Sequence, residues 1–295
     1  MTRLTVKHLR YFEALARHRH FGRAAEACAI SQPALSLQMK ELEALIGAPL
    51  IERGARRVML SGLGEAVAER ARDVLRALDE IEDMARAQGA PLAGRLRIGA
   101  IPTVAPYLLP GLIKDLGASH PELDLRPREA VTGTLLRDLG DGRLDVAILA
   151  LPVAEPALHV EPLFEEEFLL VRPEAEAGAP VPDGAALRGL RLLLLEEGHC
   201  LREQTLSFWG PGASPAQDVL EGSSLSTLVQ MVGVGIGVTL IPEMAVAVET
   251  ASGPVSVARL PAPRPSRRIA MVWRRSSPRA EPLRAVAARL RALRG

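Results

Sequence analysis

The chain has 295 residues, of which 48% are apolar and only 3% aromatic. That content excludes a disordered chain and leaves room for two or three compact units whose cores are built mainly from Leu, Val, Ile and Ala. The net charge of +1 is unevenly spread: residues 1–61 hold ten Lys/Arg against five Asp/Glu, a local +5, which leaves about −4 on the other 234 residues. A small basic head on a slightly acidic body points to an anionic partner for the head alone. Two cysteines in the whole chain argue against a disulfide-stapled secreted fold. The N-terminus lacks the apolar run of a signal peptide, so a cytoplasmic protein is expected.

Leu9, Phe12, Leu15 and Ala16 recur at helical spacing and predict a first helix over about 5–18. A short small-residue helix follows in "GRAAEACAI", with Cys28 read as a small buried hydrophobe. Ser31 is a good N-cap and Pro33 suits the first turn of the next helix, "QPALSLQMKELEALIG". That helix turns Leu35, Met39, Leu42 and Ile46 inward and ends at Gly47. Two helices joined by a few residues around Ala29–Ser31 have helix-turn-helix spacing. The outward side offers Ser31, Gln32, Pro33, Ala34, Ser36, Leu37, Gln38 and Lys40, small and amide groups suited to base edges and phosphates of a major groove. Next come two β-like runs around a turn with Arg53, Arg56 and Arg57, a basic wing placed to grip phosphates. The competing reading is a small helical bundle with a solvated basic face.

Val67, Ala71, Val74, Leu78, Ile81 and Ala85 are spaced 4, 3, 4, 3, 4, a heptad seam about three repeats long. It predicts a linker helix over 62–90 that pairs with a second copy, or one that packs on its own body. "QGAPLAG" then breaks the helix as a hinge. From 95 onward strands and helices alternate, first as βαβαβ with a parallel sheet and then in a second set through 242, with a last strand in "RRIAMVWRR" and a closing helix. The stretch 228–248 is long enough to suggest a membrane span, but Gln230, Pro242, Glu243 and glycines at 233, 235 and 237 interrupt it. A buried helix, a glycine turn and a buried strand are expected there instead, and no membrane contact. Ligand positions in such sheets lie beyond the carboxyl ends of strands. Here those are Pro102–Thr103, Thr132, Gly198–Cys200 and Gly222–Ser224. Cys200 stands at the start of a predicted helix with His199 and Arg202 close by, a setting that favours a thiolate, while Glu203 opposes it.

"FGRAAEACAISQPALSLQMKELEALIGAPLIERGARRVMLSGLGE" resembles the winged helix-turn-helix of the LysR-type transcriptional regulators over some 45 residues. The resemblance implies an α/β protein with an N-terminal winged helix-turn-helix at 1–61, a linker helix at 62–90 and a two-lobed, periplasmic-binding-protein-like effector domain at 91–295. Lobe I would take about 91–164 and 266–295, and lobe II about 165–265. "IPTVAPYLLP", "GRLDVAILAL" and above all "EEGHCLREQTLSF" are similar to the hydrogen-peroxide-inducible (OxyR) branch of that family. The resemblance implies that Cys200 is the peroxide-reactive thiol, that Thr103 and Thr132 hold peroxide, that His199 stands beside the thiol and that Arg268 is a basic residue of the pocket. It also implies a second, resolving cysteine nine positions on, where this chain has Trp209. Three outcomes stay open: the sulfenic acid itself acts, a small thiol or the Cys200 of another copy caps the sulfur, or the protein binds a small metabolite between its lobes. Double-stranded promoter DNA, self-association as dimer or tetramer, and RNA polymerase are the expected partners. No cofactor and no metal are expected. A thiol peroxidase is the reading from another class, against which the basic head speaks, and a periplasmic binding protein is disfavoured by the same head.

Overall fold

In the computed structural model, residues 3–52, 58–87, 92–182, 187, 189–209, 220–251 and 253–293 are described. They form two compact units, Met1–Ala85 and Arg86–Gly295. In the first, α1 (Val6–His18), α2 (Phe21–Ala27) and α3 (Gln32–Ile46) pack around Phe12, Leu15, Leu35, Leu42 and Leu50, all fully buried. The Ser31 hydroxyl accepts from the Ala34 amide (3.3 Å) and caps α3, and Gly47 closes it in the left-handed region at φ +79. Ala29 takes φ +53 in the turn that joins α2 to α3.

Beyond α3 the chain pairs Ile51 with Leu60 in an antiparallel bridge. A carboxylate oxygen of Glu43 in α3 accepts from the amides of Leu50 (2.7 Å) and Ile51 (3.0 Å), tying one side of this bridge to the helix. The turn bearing Arg53, Arg56 and Arg57 lies outside the described residues. Gly64 permits the close approach of α4 (Gly62–Ala87), because a Cβ there would stand 2.1 Å from the Leu50 carbonyl oxygen. The α4 seam is divided. Val67 and Ala71 pack against or are buried within the first unit, whereas Val74 and Ile81 are exposed.

In the second unit β1 (Gly94–Ala100), α5 (Ala105–Ser119), β2 (Leu123–Glu129), α6 (Thr132–Gly140) and β3 (Val146–Ala150) make the expected βαβαβ run, with β1 parallel to both neighbours. The sheet order is β2, β1, β3, β9 (Ser266–Arg274), β4 (Leu158–Pro173) and β7 (Thr239–Pro242), with β8 (Val255–Arg259) also on β4. β9 (Ser266–Arg274) inserts antiparallel between β3 and β4 (Leu158–Pro173). β4 is 16 residues long. Its first part pairs with β9, and its second with β7 (Thr239–Pro242) and β8 (Val255–Arg259). It therefore runs from one hydrophobic core, centred on Ile98, Leu112, Ile148, Met271 and Leu290, to another around Leu170, Leu193, Leu225 and Ile241. These two cores are the two lobes of the effector fold.

β5 (Leu193–Leu195) and β6 (Leu220–Gly222) form a small parallel pair, joined in sequence through α7 (Cys200–Trp209). The apolar stretch 228–248 folds as α8 (Leu225–Gly233), a turn and β7, as its glycines and Pro242 indicate. The short α9 (Val246–Glu249) and β8 are additions that the sequence reading lacked. α10 (Ala280–Ala292) closes the first core. Among the described residues no helix is long and apolar enough to cross a membrane.

Candidate functional site

Cys200 opens α7 just where the two lobes meet. Its side chain packs against the first core, while its neighbour Leu201 is buried in the second. Gly198 makes the preceding turn at φ +92, and a Cβ on it would meet Val131 at 3.8 Å. The loop therefore sits against the entrance to α6, whose first residue is Thr132. Among the described residues the Thr132 hydroxyl oxygen is buried without a hydrogen-bond partner, and its proximity favours the ionised form of the thiol. The amides of Cys200 and Leu201 act in the same direction, as free N–H groups at a helix start do.

The cation of the site is Arg267. It lies opposite Glu166 in the β4–β9 ladder, and both side chains are fully buried. Arg267 Nε donates to Glu166 Oε1 (2.9 Å), Nη1 to Thr103 Oγ1 (2.7 Å) and Nη2 to the Thr103 carbonyl oxygen (2.9 Å). Glu166 Oε2 in turn accepts from the Met244 amide (3.1 Å). A buried ion pair is stable only when its remaining donors and acceptors are filled in this way. The result is a guanidinium held rigidly by side chains of β4 and the β1–α5 turn.

Burial pushes the Cys200 thiol above its ordinary pKa; Arg267, Thr132 and the two amides pull it back without overcoming that effect. Burial likewise lowers His199, against the pull of Glu196 and Glu129, so its imidazole is neutral at pH 7. Nearby, the Tyr107 hydroxyl of α5 donates to Glu249 Oε1 (2.5 Å) and Ser226 Oγ donates to Glu249 Oε2 (2.6 Å). Burial, then this carboxylate, hold the Tyr107 phenol far above the ordinary range.

Thr103, Thr132 and Cys200 all converge on the surroundings of Arg267. Arg268 does not. It is exposed, because alternate residues of a strand face opposite sides and its neighbour Arg267 takes the inward one. Arg202 is also turned away from the thiol: Nη1 lies 3.0 Å from the Leu195 carbonyl oxygen and 2.7 Å from Glu221 Oε1. Charge from His199 and Arg202 therefore does not acidify Cys200, and the field comes from Arg267. The missed residues are Arg267 and Glu166. The sequence carried no clear signal for either, because 269–273 run continuously apolar after Arg267 and Arg268 and show no alternation.

In the first unit Ser31, Gln32, Pro33, Ala34, Leu37 and Lys40 are exposed on α3, and Ser36 and Gln38 are partly so. Cys28 ends α2 in this unit, so the two thiols belong to different units. Both are free.

Residues 89–294 match the LysR substrate binding domain, and residues 6–65 match the bacterial regulatory helix-turn-helix protein, lysR family. A probable hydrogen peroxide-inducible genes activator of Streptomyces viridosporus is 44% identical over 292 residues, covering 97% of this chain and 93% of that protein. Among solved structures, a full-length OxyR variant from Pseudomonas aeruginosa is 38% identical with a TM-score of 0.78, covering 99% of this chain and 96% of that one. A hydrogen-peroxide-bound OxyR mutant from Corynebacterium glutamicum is 36% identical with a TM-score of 0.67, covering 99% and 92%. The chain belongs to the LysR family of DNA-binding transcriptional regulators, in its OxyR branch, and is a regulator rather than an enzyme.

Proposed function

We propose that this regulator responds to hydrogen peroxide by oxidation of Cys200 to a sulfenic acid, without an intramolecular disulfide. The observation that carries the reading is the buried thiol at the start of α7, served by Thr132, two amides and the field of an Arg267 clamped by Glu166 and Thr103. Its relatives, a hydrogen peroxide-inducible activator and an OxyR mutant solved with hydrogen peroxide bound, suggest the ligand class. The thiolate sulfur attacks one peroxide oxygen; an S–O bond forms as the O–O bond breaks. The bonding pair leaves with the other oxygen as hydroxide, which takes a proton to become water. Sulfur loses two electrons and peroxide gains them. The hydroxyls of Thr103 and Thr132 position the peroxide, and Arg267 stabilises the departing hydroxide. The neutral His199 beside the thiol is suited to accept its proton.

Trp209, at the position where the resemblance implies a second thiol, ends the same helix, nine residues and roughly 13 Å along its axis. It offers no sulfur, and its side chain lies outside the described residues. The oxidised state is therefore read from the sulfenic acid, or from its mixed disulfide with a small thiol or with the Cys200 of another copy. The domain limits that accompany this reading are 1–61 for the DNA head, 62–90 for the linker helix and 91–295 for the effector. Two copies join through the exposed part of the α4 seam and place two heads on one promoter in the cytoplasm. Ser31, Gln32, Pro33, Ala34, Ser36, Gln38 and Lys40 face the groove, and Arg53, Arg56 and Arg57 grip phosphates.

Nuclease footprints on a bound promoter, with and without peroxide, test this reading. The footprint of the wild-type protein and of Cys28→Ser should change with peroxide, and that of Cys200→Ser should not. A response that survives in Cys200→Ser, or that is lost in Cys28→Ser, contradicts it.

A further inference from the structure

The outward side of α3 carries an apolar strip among its polar groups. Pro33, Ala34 and Leu37 are all exposed, and their spacing of three and four residues puts them on one line along the N-terminal half of the helix. Leu37 is 57% exposed, and its neighbour Leu35 is completely buried. An apolar side chain this open, on a helix whose inward side already fills the core, contributes little to packing in the free unit. One of the two amide groups beside it is less available than its type suggests, because Gln38 Nε2 donates to Glu41 Oε2 at 2.6 Å.

In a helix-turn-helix the N-terminal part of the second helix meets the base edges. The apolar feature that B-DNA presents in its major groove is the C5-methyl of thymine. We infer that Leu37, with Pro33 and Ala34 beside it, reads a thymine methyl in each half-site of the operator. The inference rests on α3 being the base-contacting helix. It adds that this helix selects part of its sequence by apolar contact rather than by hydrogen bonding.

The test uses the full-length protein and an operator selected from a random-sequence duplex library. Each thymine is replaced in turn by uracil, which removes only the methyl. One position per half-site should lose about fourfold in affinity for the wild-type protein, the size of one buried methyl. Leu37→Ala should bind the thymine operator several-fold more weakly and be indifferent to uracil at that same position. If every thymine-to-uracil loss is the same for the wild-type protein and Leu37→Ala, the inference is wrong. It is equally wrong if Leu37→Ala changes only the sedimentation of the protein, which would make the strip a contact between copies. Ser36→Glu separates the underlying reading: a negative charge on this side should abolish operator binding, and if it does not, α3 is not in the groove.

Discussion

The two cysteines are both pushed towards the protonated form by burial, and both lie beside a helix end. The resemblance stops there. Cys28 follows the last residue of α2, the end where a helix disfavours an anion, and its charged neighbours Arg17 and Glu13 oppose each other. Cys200 begins α7, with two amides, a hydroxyl and a clamped guanidinium directed at the sulfur. A raised pKa therefore does not set the two thiols apart. The difference lies in what waits to receive the charge once it develops, and that arrangement exists at only one of the two sulfurs.

The strongest way to break this contrast is to remove the guanidinium. Arg267→Met should slow sulfenate formation at Cys200 by about a hundredfold, the usual scale for losing a preorganised electrostatic partner. It should also destabilise the fold by about 3–5 kcal/mol, because the buried Glu166 carboxylate loses the cation that faces it. The double variant Arg267→Met with Glu166→Gln should regain most of the melting temperature and none of the rate. Recovery of the rate in that variant would show that Arg267 serves the fold alone. The pH profile offers a second test. A thiol held above its ordinary pKa is mostly protonated at neutrality, so its thiolate fraction and its rate with peroxide should rise about tenfold per pH unit from 6 to 8. A rate already level across that range would mean an acidic thiol. Thr132→Val is the mildest change. Among the described residues its hydroxyl has no other partner, so melting should be unchanged while the rate falls about fivefold, the scale of one hydrogen bond.

Much of this was visible in the sequence. The head could be read because Phe12, Leu15, Leu35 and Leu42 keep helical spacing and Ser31 and Gly47 mark the ends of α3. Cys200 stood out by its place before a helix. The inward arginine was misread by one residue because 269–274 are all buried, which hides the period-two pattern that would have turned Arg267 in and Arg268 out. The pairing of Glu166 with Arg267 joins strands 101 residues apart. It depends on β9 entering the sheet antiparallel, which local patterns do not encode. The heptad spacing of α4 does not tell which of its turns pack on their own head: Val67 and Ala71 do, whereas Val74 and Ile81 are exposed.

The most direct measurement follows both thiols in one sample. The reduced protein is treated with micromolar peroxide and a sulfenate trap, quenched over time by alkylation, and the peptides containing Cys28 and Cys200 are quantified by mass spectrometry. The account predicts that Cys200 carries the trap within the first time points while Cys28 remains an alkylated thiol, with no peptide linking the two. Equal labelling of both cysteines, or labelling of Cys28 first, would contradict it.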